Sequence, residues 1–163
     1  MSLAEQPFEQ LLLNLFVERV VTGVVGVIGS GAEALQERGL QQAFGVEGRD
    51  YVSVQALSAP AASWDGVVVL DALRKVPRDA VPGVCRELAR VVRPGGWLLL
   101  GFPAGLNTRN PEIAAQLVFH HRPAVAKGVR AAGFTIEDVL EREPTKTDPY
   151  PSRRGYILAQ RTG

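Results

Sequence analysis

The chain is poor in sulfur and imidazole: one cysteine, one methionine and two histidines among 163 residues. A lone cysteine, Cys85, excludes a disulfide framework within the chain and fits a reducing compartment. The two histidines, His120 and His121, are adjacent and lack the further ligands that a metal site needs. Neither sign of charge is in excess, since 18 Lys and Arg against 17 Asp and Glu leave a net charge of +1. The signs are interspersed, which excludes the basic footprint of a nucleic-acid binder and any acidic tail. The pair Arg153-Arg154 is too small to change that. Long hydrophobic runs are also missing. Leu11 to Ile28 is rich in apolar residues but is interrupted by Asn14, Glu18, Arg19 and Thr22, so it does not read as a membrane span. No charged leader precedes a long apolar core, so no signal peptide is expected. The expectation is a cytoplasmic protein with neither nucleic acid nor membrane as partner, folded as a single domain over residues 1–163.

What is present is organised around Trp64 to Pro103. Trp64-Asp65-Gly66-Val67-Val68-Val69-Leu70-Asp71 contains a short apolar, β-branched run, the pattern of a strand covered on both faces. Val81, Val84, Cys85, Leu88, Val91 and Val92 recur at helical spacing, with Asp79 as the expected N-cap and Pro82 in the first turn. Pro94-Gly95-Gly96 is expected to stop this helix and turn the chain into a second buried strand, Trp97 to Phe102. Strand, helix and strand of this size form a right-handed βαβ crossover. Cys85 falls on the apolar face of the helix and reads as core.

The N-terminal half repeats the theme in shorter pieces. Pro7 to Val20 reads as an amphipathic helix with Phe8, Leu11, Leu12, Leu15, Phe16 and Arg19 at helical spacing and Glu9, Gln10 and Asn14 on the other, outward side. Val20 to Ile28 is the first strand candidate. It runs into Gly29-Ser30-Gly31, then a helix closed by Gly39, then a second strand, Ala43 to Glu47. A glycine-rich strand-to-helix turn followed by a carboxylate at the next strand tip suits a nucleotide: backbone N–H groups approach the ligand and the acid binds ribose hydroxyls. Each feature also has a plain reading, as a tight turn and as a solvated glutamate. Tyr51 to Leu57 reads as a third strand only three or four residues later, too close for the crossover that parallel neighbours need. Downstream, helix Ala124–Ala132 ends at Gly133, Thr135–Arg142 is a mixed strand, 143–151 is a proline-rich loop and Arg153–Gln160 is a final strand.

The aromatic-Asp pair at Trp64-Asp65 and the segment Arg90-Val91-Val92-Arg93-Pro94-Gly95-Gly96-Trp97-Leu98-Leu99-Leu100 resemble the second half of class I S-adenosylmethionine (SAM)-dependent methyltransferases of type 11. Val129-Arg130-Ala131-Ala132-Gly133-Phe134 and Ser152–Gln160 resemble that family's later helix-to-strand corner and last strand. The resemblance runs from about Trp64 to the end. It implies a three-layer α/β/α Rossmann-like fold, mostly parallel with an antiparallel last strand, here lacking one crossover helix in its N-terminal half. It also implies SAM as cofactor, bound by Gly29, Gly31, Glu47, Gln55, Ala56 and Asp71. In the family's glycine motif, Val27 stands at the place of the acid and Glu33 at that of the third glycine. Leu70 stands where a polar residue is common, and Lys75 where a histidine often precedes Val-Pro. Asp71 has a plain reading too, as an N-cap.

Three functions follow. The first is a SAM-dependent methyltransferase acting on a small molecule, with His120 or His121 as candidate general base. The second is a catalytically inactive methyltransferase-like domain that serves as a binding or assembly module. The third is an NAD(P)-binding oxidoreductase domain, because Gly29-x-Gly31-x-x-Ala34 also fits the relaxed dinucleotide fingerprint. A missing crossover helix would leave apolar sheet surface uncovered, which predicts a homodimer.

Overall fold

Four parallel strands carry the architecture because their residues are apolar in continuous runs, which only a sheet covered on both faces can bury. The structure, a computed structural model, describes residues 3–40, 42–46, 56–104 and 111–163. The strands are β1 (Val24–Ile28), β2 (Gln42–Val46), β3 (Trp64–Val69), β4 (Val92–Pro103), β5 (Phe134–Arg142) and β6 (Arg154–Arg161). They form one sheet in the order β2-β1-β3-β4-β6-β5. The pairs β2–β1, β1–β3 and β3–β4 are parallel, and β6 is antiparallel to both β4 and β5. This is the mostly parallel Rossmann-like sheet with an antiparallel end that the resemblance implies.

The helices are α1 (Pro7–Val20), α2 (Ala32–Glu37), α3 (Val81–Val91), α4 (Pro111–Gln116) and α5 (Arg122–Ala131). Alternation along the strands divides the core in two. Val67, Val69, Leu98, Leu100, Ile157 and Ala159 pack with α3 and α5. Val68, Leu70, Leu99, Tyr156 and Leu158 pack with α1 and α2. Cys85 is fully buried on α3, and that burial pushes its thiol up to about 12, so it is core.

Several expectations need correction. The first strand begins at Val24 rather than Val20, because α1 runs on to Val20 and the chain then turns with positive φ at Val21 and Gly23. The buried face of α1 is Glu9, Leu12, Leu13 and Phe16, so Glu9 points inward and Leu11 is 63% exposed. Asp79 does not cap α3; it lies in a 3₁₀ turn, Arg78–Ala80, and Ala80 holds the N-cap position. The helix ends at Val91, before Pro94-Gly95-Gly96, and β4 starts at once, with Val92 opposite Trp64 and a register break before Gly66–Trp97. There Gly95 takes φ +84° and a Cβ on Gly96 would meet the Asp65 carbonyl oxygen at 2.7 Å, so the two glycines make the bulged entry to β4. Glu47, Gln55 and the start of the expected Tyr51–Leu57 strand, with the crossover it bears on, lie outside the described residues.

Candidate functional site

The strand order creates the site. From β1 the chain proceeds to β2 on one side, and from β3 to β4 on the other. The carboxyl ends of β1 and β3 therefore form the switch point at which open α/β sheets bind ligands. Ile28 pairs with Val69, and Val69 with Leu100, so the strands finish in one row. Just beyond it opens a cavity of about 310 Å³ lined by Ile28, Gly29, Ser30, Leu70, Asp71 and Arg74. Gly29 and Gly31 take φ +99° and +127°, conformations that L side chains rarely adopt. No atom lies within 4 Å of where a Cβ on Gly29 would sit, so its backbone is open to a ligand. A second cavity, of about 370 Å³, continues past Gly29, Ser30 and Gly31 towards Glu5, Gln10 and Glu33.

Asp71 closes the other side and is held from within. Its Oδ1 accepts hydrogen bonds from Tyr150 Oη and, at 2.8 Å, from Arg154 Nη1. No side-chain cap bond is made to the following 3₁₀ turn, Ala72–Lys75. Arg154 is 1% exposed and also donates to Tyr156 Oη at 2.9 Å and to the Leu70 carbonyl. Burial opposes its charge, but Tyr156, Tyr150 and Asp71 outweigh burial and hold the guanidinium protonated. Tyr156 donates onward to Glu9, which also accepts from Arg142 at 3.0 Å, and Arg142 forks onto Asp148 at 2.7 Å through each nitrogen. Burial pushes the phenols of Tyr150 and Tyr156 up, so both are hydroxyl donors. The network ties α1, β5, β6 and the 143–153 loop to the end of β3.

The sequence signalled this network only faintly. Arg154 is one of an arginine pair too small for a basic footprint, and Glu9 is expected on the outer face of α1. The available signal was the period-two alternation of β6, which sets Arg154 on the same face as Tyr156 and Leu158.

Residues 25–100 match the profile of a family described as "Methyltransferase domain". Over that span the chain is similar to a methyltransferase domain. Solved structures share the fold. A SAM-dependent methyltransferase from Methanosarcina mazei superposes with TM-score 0.64 at 17% identity, over 99% of each chain. The 1,6-didemethyltoxoflavin-N1-methyltransferase of Burkholderia thailandensis, bound to 1,6-didemethyltoxoflavin and S-adenosylhomocysteine, gives 0.66 at 18% identity over 94% of this chain and 76% of the other. A geranyl diphosphate C-methyltransferase from Streptomyces coelicolor, bound to Mg²⁺, geranyl diphosphate and S-adenosyl-L-homocysteine, gives 0.70 at 11% identity over 94% and 81%. No curated protein matches the sequence.

The segment that carries the resemblance most specifically is scaffold. Arg90 Nη2 donates to the Leu57 carbonyl at 2.9 Å, while Glu87, one turn earlier, accepts from the Leu57 N–H at 2.9 Å. Together they clamp both backbone groups of one residue. Arg93 pairs with Asp65, whose other oxygen accepts from the Val24 N–H at 2.6 Å and so fixes the start of β1.

The remaining candidates separate. Gly29, Gly31 and Asp71 meet around the cavities. Ala56 is exposed in a bend and lines none of these cavities. His120 is 2% exposed and its Nε2 lies 2.8 Å from the Leu73 carbonyl, which requires Nε2 to carry the proton. Burial lowers its pKa, with Arg78 adding to the effect and the Leu73 carbonyl opposing it. It is an anchor beneath the 72–75 turn. His121 is exposed at the N-cap position of α5 and makes no cap bond.

Proposed function

We propose that the protein is a SAM-dependent methyltransferase acting on a small molecule. The observation that carries this reading is the glycine-lined cavity at the switch point of β1 and β3, in a chain whose residues 25–100 match the methyltransferase profile. The residues present fit the cofactor's amino-acid end. The open backbone at Gly29 admits close approach, and Asp71 offers a carboxylate beside an ammonium or sulfonium. Glu47 and Gln55 would serve the ribose and adenine. When bound, SAM would supply an electrophilic methyl group on sulfur. The chain's own task is to hold the acceptor in line and keep water out, with little acid–base chemistry. His120 is not placed to act as a base there, since it is buried, its Nε2–H is committed to the Leu73 carbonyl, and it lines none of these cavities.

Calorimetry with SAM and S-adenosylhomocysteine, with NADH and NADPH in parallel, tests the reading. Micromolar binding of a SAM form is expected. It is lost in Ser30→Trp, an exposed rim position whose indole would fill the cavity, with the melting temperature unchanged. No heat from folded protein removes the enzyme. That result favours the second reading, an inactive binding module, which is supported by the fully buried Val27 and exposed Glu33 at the family's acid and glycine places. Binding of NADH alone would favour a dinucleotide domain. Pairing of two copies near the β2 edge, where Phe44 is 39% exposed, is part of the proposal, and a monomer in ultracentrifugation at high micromolar concentration removes it.

A further inference from the structure

Next to the proposed cofactor cavity lies a larger one, of about 650 Å³, and the two share Asp71 and Arg74. Its other walls are Lys75, Gln116, Leu117, Pro149 and Tyr150. The charges around it do not cancel. Asp71 is already compensated from behind by Arg154 at 2.8 Å. Arg74 makes only a long contact to Asp71, 3.5 Å from Nε, and its side chain is 41% exposed. Lys75 is exposed and has no ion-pair partner among the described residues. Two cations are therefore in excess on this side, whereas the cavity beyond Gly29 is lined by Glu5, Glu33 and Glu37.

The cations stand on a rigid turn. The Leu73 carbonyl accepts from His120 Nε2 at 2.8 Å, and the Arg74 carbonyl from the Val118 N–H at 2.7 Å. Arg78 Nε donates to the Phe119 carbonyl at 2.8 Å. Two bonds thus stitch the 72–75 turn to the strip 117–120, and the third ties that strip to the neighbouring 78–80 turn, which places Leu117 opposite the two cations. Tyr150 is fixed by its bond to Asp71, so its ring is a standing wall.

We propose that this cavity binds the acceptor and that the acceptor is a small organic anion, a carboxylate or a phosphate. Its charged group sits between Arg74 and Lys75, and its carbon body lies against Leu117, Pro149 and Tyr150, with Gln116 supplying an amide. Arginine's fork suits both anions, and lysine adds a mobile donor. The role as acceptor site rests on the methyltransferase reading; the preference for anions rests on the cavity alone.

The experiment titrates the full chain, with and without saturating S-adenosylhomocysteine, with benzoate, phenyl phosphate and uncharged benzamide. Benzoate or phenyl phosphate should bind about tenfold or more tightly than benzamide, the better of the two identifying the anion. Arg74→Gln and Lys75→Gln should each weaken the anion about fivefold or more, and Lys75→Gln should leave S-adenosylhomocysteine binding unchanged. Equal binding of benzoate and benzamide overturns the proposal, as does anion binding indifferent to both substitutions. Charge-selective binding by a protein that gives no heat with S-adenosylhomocysteine keeps the anion site and removes the methyltransferase reading instead.

Discussion

Replacing Arg154 with Met keeps most of the side-chain volume and removes the buried guanidinium around which the end of β3 is assembled. The folded protein then loses donors to Asp71, Tyr150, Tyr156 and the Leu70 carbonyl. Stranding one partner of a buried charge pair costs about 3–5 kcal/mol. The Asp71 side chain is 25% exposed and is partly rehydrated, which favours the lower end. The Leu70 carbonyl, on a residue 1% exposed, has no such relief, and an unpaired buried acceptor alone costs about 1–3 kcal/mol. A loss near 3 kcal/mol corresponds to roughly 6–12 °C in melting temperature for a chain of this size. Urea denaturation of the wild type, Arg154→Met, Asp71→Asn and the double variant measures both the loss and the coupling. Because the two residues share a hydrogen bond, the double variant should be less unstable than the sum by about 1 kcal/mol or more. A loss under about 1 kcal/mol, or additivity within about 0.5 kcal/mol, would refute the assignment of Arg154 as the keystone of the site.

His120 is neutral and buried in the folded chain, while the unfolded chain titrates near its ordinary value of 6.5. Below that value the unfolded state binds a proton that the folded state resists, so stability is full above pH 6.5 and falls as pH drops towards the lowered folded value. His120→Gln should flatten the fall in urea midpoints taken across this window; an unchanged slope shows that His120 is not its source. At Gly101 a Cβ would meet the Leu70 carbonyl oxygen and Tyr156 Cε1, each at 2.5 Å. Gly101→Ala should therefore cost about 1–3 kcal/mol by overpacking, and a melting temperature equal to the wild type would contradict that close approach.

The strands, their parallel sense and the helix faces of the second half could be read from local patterns. Val67–Leu70 and Trp97–Leu100 are too continuously apolar for a half-exposed sheet, and Val81 to Val91 keeps helical spacing. Gly133 at φ +106° ends its helix as its position suggested. The turn glycines Gly29 and Gly31 were legible for the same reason, since their conformations are local properties of the residue. Distances along the chain set the limit. Glu9, Asp71, Arg142, Asp148 and Arg154 are polar residues whose burial is affordable only because partners up to 147 positions apart, as for Glu9 and Tyr156, meet at one sheet end. No local pattern records that meeting, so the burial of Glu9 and Arg154 is not legible in the sequence. The burial of His120 is equally hidden, because its acceptor, the Leu73 carbonyl, lies 47 residues earlier. Local sequence thus determined which segments become strands and helices, through periodicity and backbone freedom. Tertiary structure alone decided which charges are neutralised inside and which, at Arg74 and Lys75, are left to face the cavity.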